Sequence, residues 1–313
     1  MPEPKLFAQA LENGGPLILD GGLATELEAQ GAVLHPRLWS AGLLHSDTEE
    51  IVSAHLAYLE AGADCIISAS YQATRNGFMT LGLSAAEADE LIVRSVKLAG
   101  EARARYVAAN PSVGRNILVA ASVGPYGAAL QDGSEYVGDY GVSKEELWDF
   151  HARRLDLLDD SGADVLACET IPDYLEAVVL SELLRTTQTP AWISFSCRDG
   201  THISDGTPIR QCAALFRDHP RVLALGVNCT PPQFVPSLIR ELKESLPGKA
   251  IVVYPNSGER YEAASNSWHG TTTPMECGHA AQQWLRDGAR LIGGCCRMGP
   301  GHIRQMRERL GTH

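Results

Sequence analysis

The chain lacks the features that mark several large classes of protein. No apolar run among its 313 residues approaches the ~18–20 that a membrane span needs. The opening stretch, "MPEPKLFAQALENGG", has no charged segment followed by an apolar one, so no secretory signal is read there and a cytoplasmic location is expected. No Lys/Arg cluster runs longer than a couple of residues. The balance of 26 basic against 38 acidic side chains, a formal net of −12, argues further against nucleic acid as a partner. Low-complexity segments and linkers are missing too. Length alone gives a prior of about two domains, yet residues 1–313 read as one.

What is present is a set of short apolar runs at regular intervals: "LILDGG" (17–22), "CIISAS" (65–70), "ILVAASVG" (117–124), "VLACET" (165–170), "AWISFSC" (191–197), "ALGVNC" (224–229), "AIVVYPNSG" (250–258) and "LIGGCC" (291–296). They are too short for buried helices and lack a clean period of two, which is the look of strands covered on both faces. Helical patterns lie between them. Ser84 with Glu87, and Ser143 with Glu146, form capping boxes before apolar-periodic segments. Pro172, Pro208 and Pro274 fit first-turn positions. Eight strands alternating with helices predict an α/β fold, a single (β/α)8 TIM barrel, with an open doubly wound sheet as runner-up. "EAGADCI", "DSGADVL" and "RDGARLI" are short helix-to-strand joints, each with a glycine suited to a helix end. The strand-to-helix joints are long, and in a barrel those loops build the active site.

Several chemically capable residues fall at the predicted strand ends. Cys229 ends the sixth strand; Cys295 and Cys296 end the eighth. Neighbouring side chains on a regular strand point to opposite faces. Gly293 and Gly294, lacking Cβ atoms, let the backbone leave the pleat so that both thiols reach the mouth. Three thiolates select zinc and leave one tetrahedral position open, the arrangement of catalytic rather than structural sites. Two ordinary buried cysteines, or a disulfide between the adjacent pair, are the competing readings. All eight cysteines are expected to be reduced, with Cys65, Cys168 and Cys197 inside strands and in the core. A zinc ion with three thiolates is a poor Lewis acid for hydrolysis but keeps a fourth sulfur deprotonated and nucleophilic. Alkyl transfer to a substrate thiol is the chemistry it favours. A zinc hydrolase would need His/Asp ligands that the mouth motifs lack.

"LDGGLATELE", "SASYQAT", "SVGPYG", "ACETIP", "GVNC", "VVYPNSGE" and "LIGGCCR" resemble the homocysteine S-methyltransferase family, closest to its S-methylmethionine-using bacterial and plant members. The resemblance runs from about Leu19 to Arg297. It implies zinc on Cys229, Cys295 and Cys296 and methyl transfer from a sulfonium donor to homocysteine, giving methionine. The partners it implies are small molecules, the protein being a monomer or small homo-oligomer. S-adenosylmethionine is a second donor to consider. Selenocysteine or selenohomocysteine as acceptor, and a non-catalytic zinc or thiol sensor, are the alternatives.

Asp20, before Gly21 and Gly22, is expected to pair with a substrate ammonium while the glycines' N–H groups cradle its carboxylate; an ordinary capped turn is the alternative. Glu169 is a second carboxylate at the mouth, costly unless paired, and the resemblance also makes it an amino-group ligand. Asn256 either approaches the metal or shapes its loop. Trp39, Tyr71 and Tyr126 offer ring faces to a sulfonium methyl, with core packing as the alternative for Trp39 and Tyr126. Ser68 and Ser70 flank the second strand's end. His202 and His269 are read as solvated, and the loop 124–141 as a lid or a flexible excursion. The betaine-using branch of the family has tyrosine where this chain has Thr170, which removes a wall of the quaternary-ammonium box.

Overall fold

In the computed structural model eight parallel strands follow the eight apolar runs. They are β1 (Leu17–Ile18), β2 (Cys65–Ile67), β3 (Leu118–Val123), β4 (Val165–Ile171), β5 (Ala191–Phe195), β6 (Val222–Asn228), β7 (Ala250–Tyr254) and β8 (Ala289–Ile292). The structure describes residues 6–35, 38–258, 260–262, 267–269 and 272–311, without the side chains of 260–262 and 267–269. Each strand pairs with its successor from β2 to β8, and β8 pairs with β1. The ring closes through one parallel bridge, Leu19 to Cys65, where Asp20 N donates to Cys65 O at 3.0 Å. The architecture is the (β/α)8 barrel.

Alternation along the strands sorts two cores. Val119, Ala121 and Val123 of β3 join the layer between barrel and helices. Leu118, Ala120, Val165, Ala167, Trp192, Ala224, Val252 and Leu291 fill the interior. The interior is plugged from below by Phe7 of the N-terminal helix α1 (Leu6–Glu12), whose ring centroid lies 5.9 Å from that of Trp192.

Both anticipated capping boxes are formed, at Ser84/Glu87 and Ser143/Glu146, and a third at Thr273/Glu276 opens the helix Pro274–Asp287. Of the three prolines expected in first turns, Pro274 alone occupies one. Pro208 is an N-cap, and Pro172 precedes the Asp173 cap of the next helix, whose side chain accepts from Glu176 N. Gly62, Gly162 and Gly288 all have positive φ at the helix-to-strand joints. After β7 a short antiparallel hairpin, Arg260–Glu262 with Ser267–His269, rises on the mouth side. The His269 side chain falls outside the described residues.

Candidate metal centre and substrate cavity

The mouth of the barrel holds a cavity of about 490 Å³. Cys229, Cys295 and Cys296 line it, with their three Sγ atoms within 4.8 Å of one another. The loops carrying them are stitched to β7. Cys229 N donates to Tyr254 O at 3.2 Å, Cys295 N to Pro255 O at 2.9 Å, and Ser257 N to Cys296 O at 3.2 Å. Cys229 adopts a φ of 46°, a region that non-glycine residues seldom occupy and that accumulates at functional sites.

The glycine pair before the cysteines acts differently from expectation. Gly293 and Gly294 still bond along the seam, to Val253 O and Asp20 O, each at 3.0 Å. What they provide is close approach: a Cβ on Gly293 would lie 2.6 Å from the Leu19 Cβ, and one on Gly294 2.6 Å from the Met298 Cβ. Gly21 and Gly22 answer from the other side, where added Cβ atoms would meet Met298 O at 2.1 Å and Cys295 O at 2.8 Å. The two glycine pairs interlock the ends of β1 and β8. One consequence corrects the proposed cradle: the Gly22 N–H already donates to Met298 O at 3.0 Å. Leu23 and Ala24, the first residues of helix α2 (Leu23–Ala29), line the cavity beyond it.

Cys229 and Cys295 are joined as a disulfide, and the other six cysteines are free. This departs from the expectation of eight reduced thiols. The three sulfurs are directed at one point, which puts two of them within bonding range. The donor set fits a tetrahedral ion once reduced: sulfurs about 2.3 Å from zinc stand about 3.8 Å apart, and Cys229 and Cys296 Sγ are 4.0 Å apart. Burial pushes the Cys296 thiol above its ordinary value, so a cation is needed to hold it as thiolate. Asn256 Oδ1, in the same cavity, is buried without a hydrogen-bond partner.

Two carboxylates lie at the base of the site: Glu169 lines the cavity, and Asp20 is buried just behind the lining residues Gly21 and Gly22. Asp20 is 1% exposed; its Oδ2 accepts from Ile67 N at 2.7 Å and its Oδ1 has no partner. Burial pushes Asp20 well above the carboxylate range; the Ile67 N–H pulls it back and the Glu169 charge pushes it further up. Glu169 accepts from the Ser122 hydroxyl. Burial lifts it from 4.5 to about 7 against the hydrogen bonds of Ser122 and Tyr254. A cationic substrate group would relieve both.

Sequence reading missed Asn228 and Tyr254, which organise this floor. Asn228 Oδ1 accepts from Thr170 N, and its Nδ2 donates to Thr170 Oγ1, both at 2.7 Å. That clamp holds Thr170, β-branched, at a φ of 61°, directly after Glu169. Tyr254 OH lies 2.6 Å from Ser194 Oγ and accepts from Trp192 Nε1 at 3.0 Å. Their signal was positional, directly before Cys229 in "GVNC" and at the end of β7 in "VVYPNSG".

Ser68, Tyr71 and Trp39 line the cavity. Ser68 Oγ accepts from Ser122 N at 3.1 Å and lies 2.8 Å from Ser70 Oγ. Trp39 is 49% exposed, so it belongs to the rim and not the core. Tyr126 is outside the cavity, packed edge-on against Phe150 at 5.1 Å, which is the core reading. His202, half-exposed on the loop after β5, bonds Asp199 and does not line the cavity. The loop 124–141 is pinned rather than loose: Tyr126 N and Tyr140 OH both donate to the buried Glu176, at 2.6 and 3.0 Å.

Comparison with known proteins bears on this site. The model of the homocysteine S-methyltransferase family matches residues 17–310. The Bacillus subtilis homocysteine S-methyltransferase YbgG is 50% identical over 293 residues, 93% of each chain. The selenocysteine Se-methyltransferase of Brassica oleracea var. italica is 46% identical, over 96% of this chain and 90% of that protein. The crystal structure of the Escherichia coli homocysteine methyltransferase MmuM in its metallated form superposes with a TM-score of 0.87 at 46% identity, over 98% of this chain and 100% of that one.

Proposed function

Since the chain belongs to the homocysteine S-methyltransferase family, we propose that it moves a methyl group from S-methylmethionine to the thiol of homocysteine, with zinc held by Cys229, Cys295 and Cys296. The observation that carries this is three cysteine sulfurs converging at a barrel mouth beside two buried carboxylates. The ion supplies the means of keeping the acceptor sulfur deprotonated near neutral pH.

The chain's own residues do the rest. Asp20 and Glu169 bind the acceptor's ammonium, the cation that each lacks. The Asn228 clamp on Thr170 fixes where Glu169 starts. The cavity holds the acceptor sulfur in line with the methyl carbon and its leaving group. One C–S bond forms as the other breaks: homocysteine thiolate becomes methionine, and the sulfonium leaves as neutral methionine. No general acid is required, and none is assigned.

Thr170 in place of the aromatic wall supports a sulfonium over betaine. S-adenosylmethionine is the weaker donor, because its adenosine must also fit the mouth. A selenol acceptor is the second reading, supported by the name of the Brassica relative. Cytoplasmic residence and a monomer or small homo-oligomer complete the proposal on the strength of the sequence. No helix among the described residues is long and apolar enough to cross a membrane.

The test is methionine formation by reduced, zinc-loaded protein from homocysteine with S-methylmethionine, S-adenosylmethionine and betaine side by side. Turnover is expected in that order, with betaine inactive. Betaine as the best donor overturns the donor reading, and a zinc-free active protein overturns the metal reading.

A further inference from the structure

Glu135 has no part in the reading above. It lies on a short turn, Ser134–Tyr136, in the loop after β3, and lines the mouth cavity. Its Oε2 is shielded from solvent and has no hydrogen-bond partner. Burial raises its carboxyl above the ordinary value. Such an oxygen is costly to hold unless a cation comes to it.

The turn is held in place. Ser196 Oγ donates to Glu135 O at 3.2 Å, and Asp139 N to Asp173 Oδ2 at 3.0 Å. A Cβ on Gly127 would lie 2.5 Å from Glu135 N, so the loop's two arms are in contact. The next residue fixes the level: Tyr136 lines the same cavity as Cys296, and the Tyr136 hydroxyl and the Cys296 thiol interact electrostatically. The Cys296 thiol feels the charges of both Glu135 and Glu169, and Glu169 is in addition coupled to Asp20, buried behind the cavity lining. The mouth has two acidic places, and the acceptor's single ammonium fills one of them.

We propose that Glu135 recognises the sulfonium of the methyl donor and selects cationic over neutral sulfur. The inference rests on the donor being a sulfonium. A sulfonium carries no N–H, so its partner gains nothing from hydrogen-bond geometry and must act by charge alone, which suits a carboxylate oxygen without donors. In the transfer the methyl–sulfur bond of the donor breaks, and the thiolate's negative charge and the sulfonium's positive charge vanish together. Attraction to Glu135 is thus stronger before the transition state than in it. It governs donor affinity and helps the neutral product leave, rather than accelerating the chemical step.

The experiment measures kcat and KM for both substrates in wild type and Glu135→Gln, and inhibition by methionine, which has the same amino-acid head and a neutral sulfur. A melting curve of each protein verifies the fold. The KM for S-methylmethionine should rise about tenfold, the scale of one charge interaction. The KM for homocysteine and the inhibition by methionine should stay within about twofold. An unchanged donor KM overturns the proposal while leaving the methyltransferase reading intact. Equal weakening of donor and methionine also overturns it, because Glu135 would then be reading the ammonium. Wild type inactive with every sulfonium donor defeats the underlying reading, and this inference with it.

Discussion

The bottom and the mouth of this barrel are built by the same strands and differ within two residues along them. On β3, Leu118 and Ala120 fill the interior core and Ser122 reaches the floor of the mouth; on β4 the succession is Val165, Ala167, Glu169. On β5, Trp192 meets Phe7 from below and Tyr254 from above, and Ser194 begins the polar layer. Below that boundary the barrel interior is apolar, and the one orphaned atom at that end among the described residues is Arg290 Nε, whose neighbouring Nη2 donates to Leu11 O and Gly15 O. Above it lie Asp20 Oδ1, Glu135 Oε2 and Asn256 Oδ1 without partners, and Cys229 and Thr170 at positive φ. The lower layers stabilise the fold, and the upper layer spends part of that stability on groups that await a ligand.

Cutting the comparison at its top gives the largest effect. Cys295→Ser should reduce zinc in the reduced protein from one per chain to a small fraction and abolish methionine formation, with an unchanged circular dichroism spectrum. A variant that keeps full zinc and turnover would refute the ligand assignment. At the bottom, Phe7→Ala removes a fully buried ring and should cost about 3–5 kcal/mol of stability. Denaturant unfolding would show this, while homocysteine KM per folded molecule stays the same; a changed KM would mean the two ends are coupled.

Glu169→Gln sharpens the contrast most, because binding and stability should move in opposite directions. Loss of a charge-assisted bond should weaken homocysteine by about 1.5–3 kcal/mol. In the folded protein burial holds Glu169 protonated up to about 7, against 4.5 when solvated. As pH rises between those values the unfolded chain loses its proton first, so this group lowers stability until the folded carboxyl ionises. At about 1.4 kcal/mol per pH unit the full cost is about 3–4 kcal/mol above pH 7. The variant should therefore melt higher than wild type at pH 8 and close to it at pH 4. An equal or lower melting temperature at pH 8 would show that Glu169 is already satisfied without substrate.

The barrel was legible in the sequence because strands covered on both faces leave compact apolar runs, and all eight appear in place. The three cysteines were legible because strand ends in a barrel converge, and β7 alone separates β6 from β8. Three things were hidden. The interlocking of Gly21 and Gly22 with Gly293 and Gly294 is a contact between chain ends that no local pattern encodes. Asn228 acts through the backbone of Thr170, on another strand. Glu135 lies in a loop whose glycines and tyrosines read as lid or excursion, and only its position beside Cys296 gives the carboxylate a role.

The interlocked glycines also set when the protein can first act. Tyr58 OH donates to Gly22 O at 2.8 Å and to Met298 O at 3.2 Å, the latter across 240 positions of sequence. The seam joins the earliest strand to leave the ribosome with the last. A nascent chain stalled before β8 already carries Asp20, Glu169 and Cys229 but has neither Cys295 nor Cys296, and the wall behind Gly21 is missing. The three-sulfur group is therefore complete only in a chain whose last strand has joined its first.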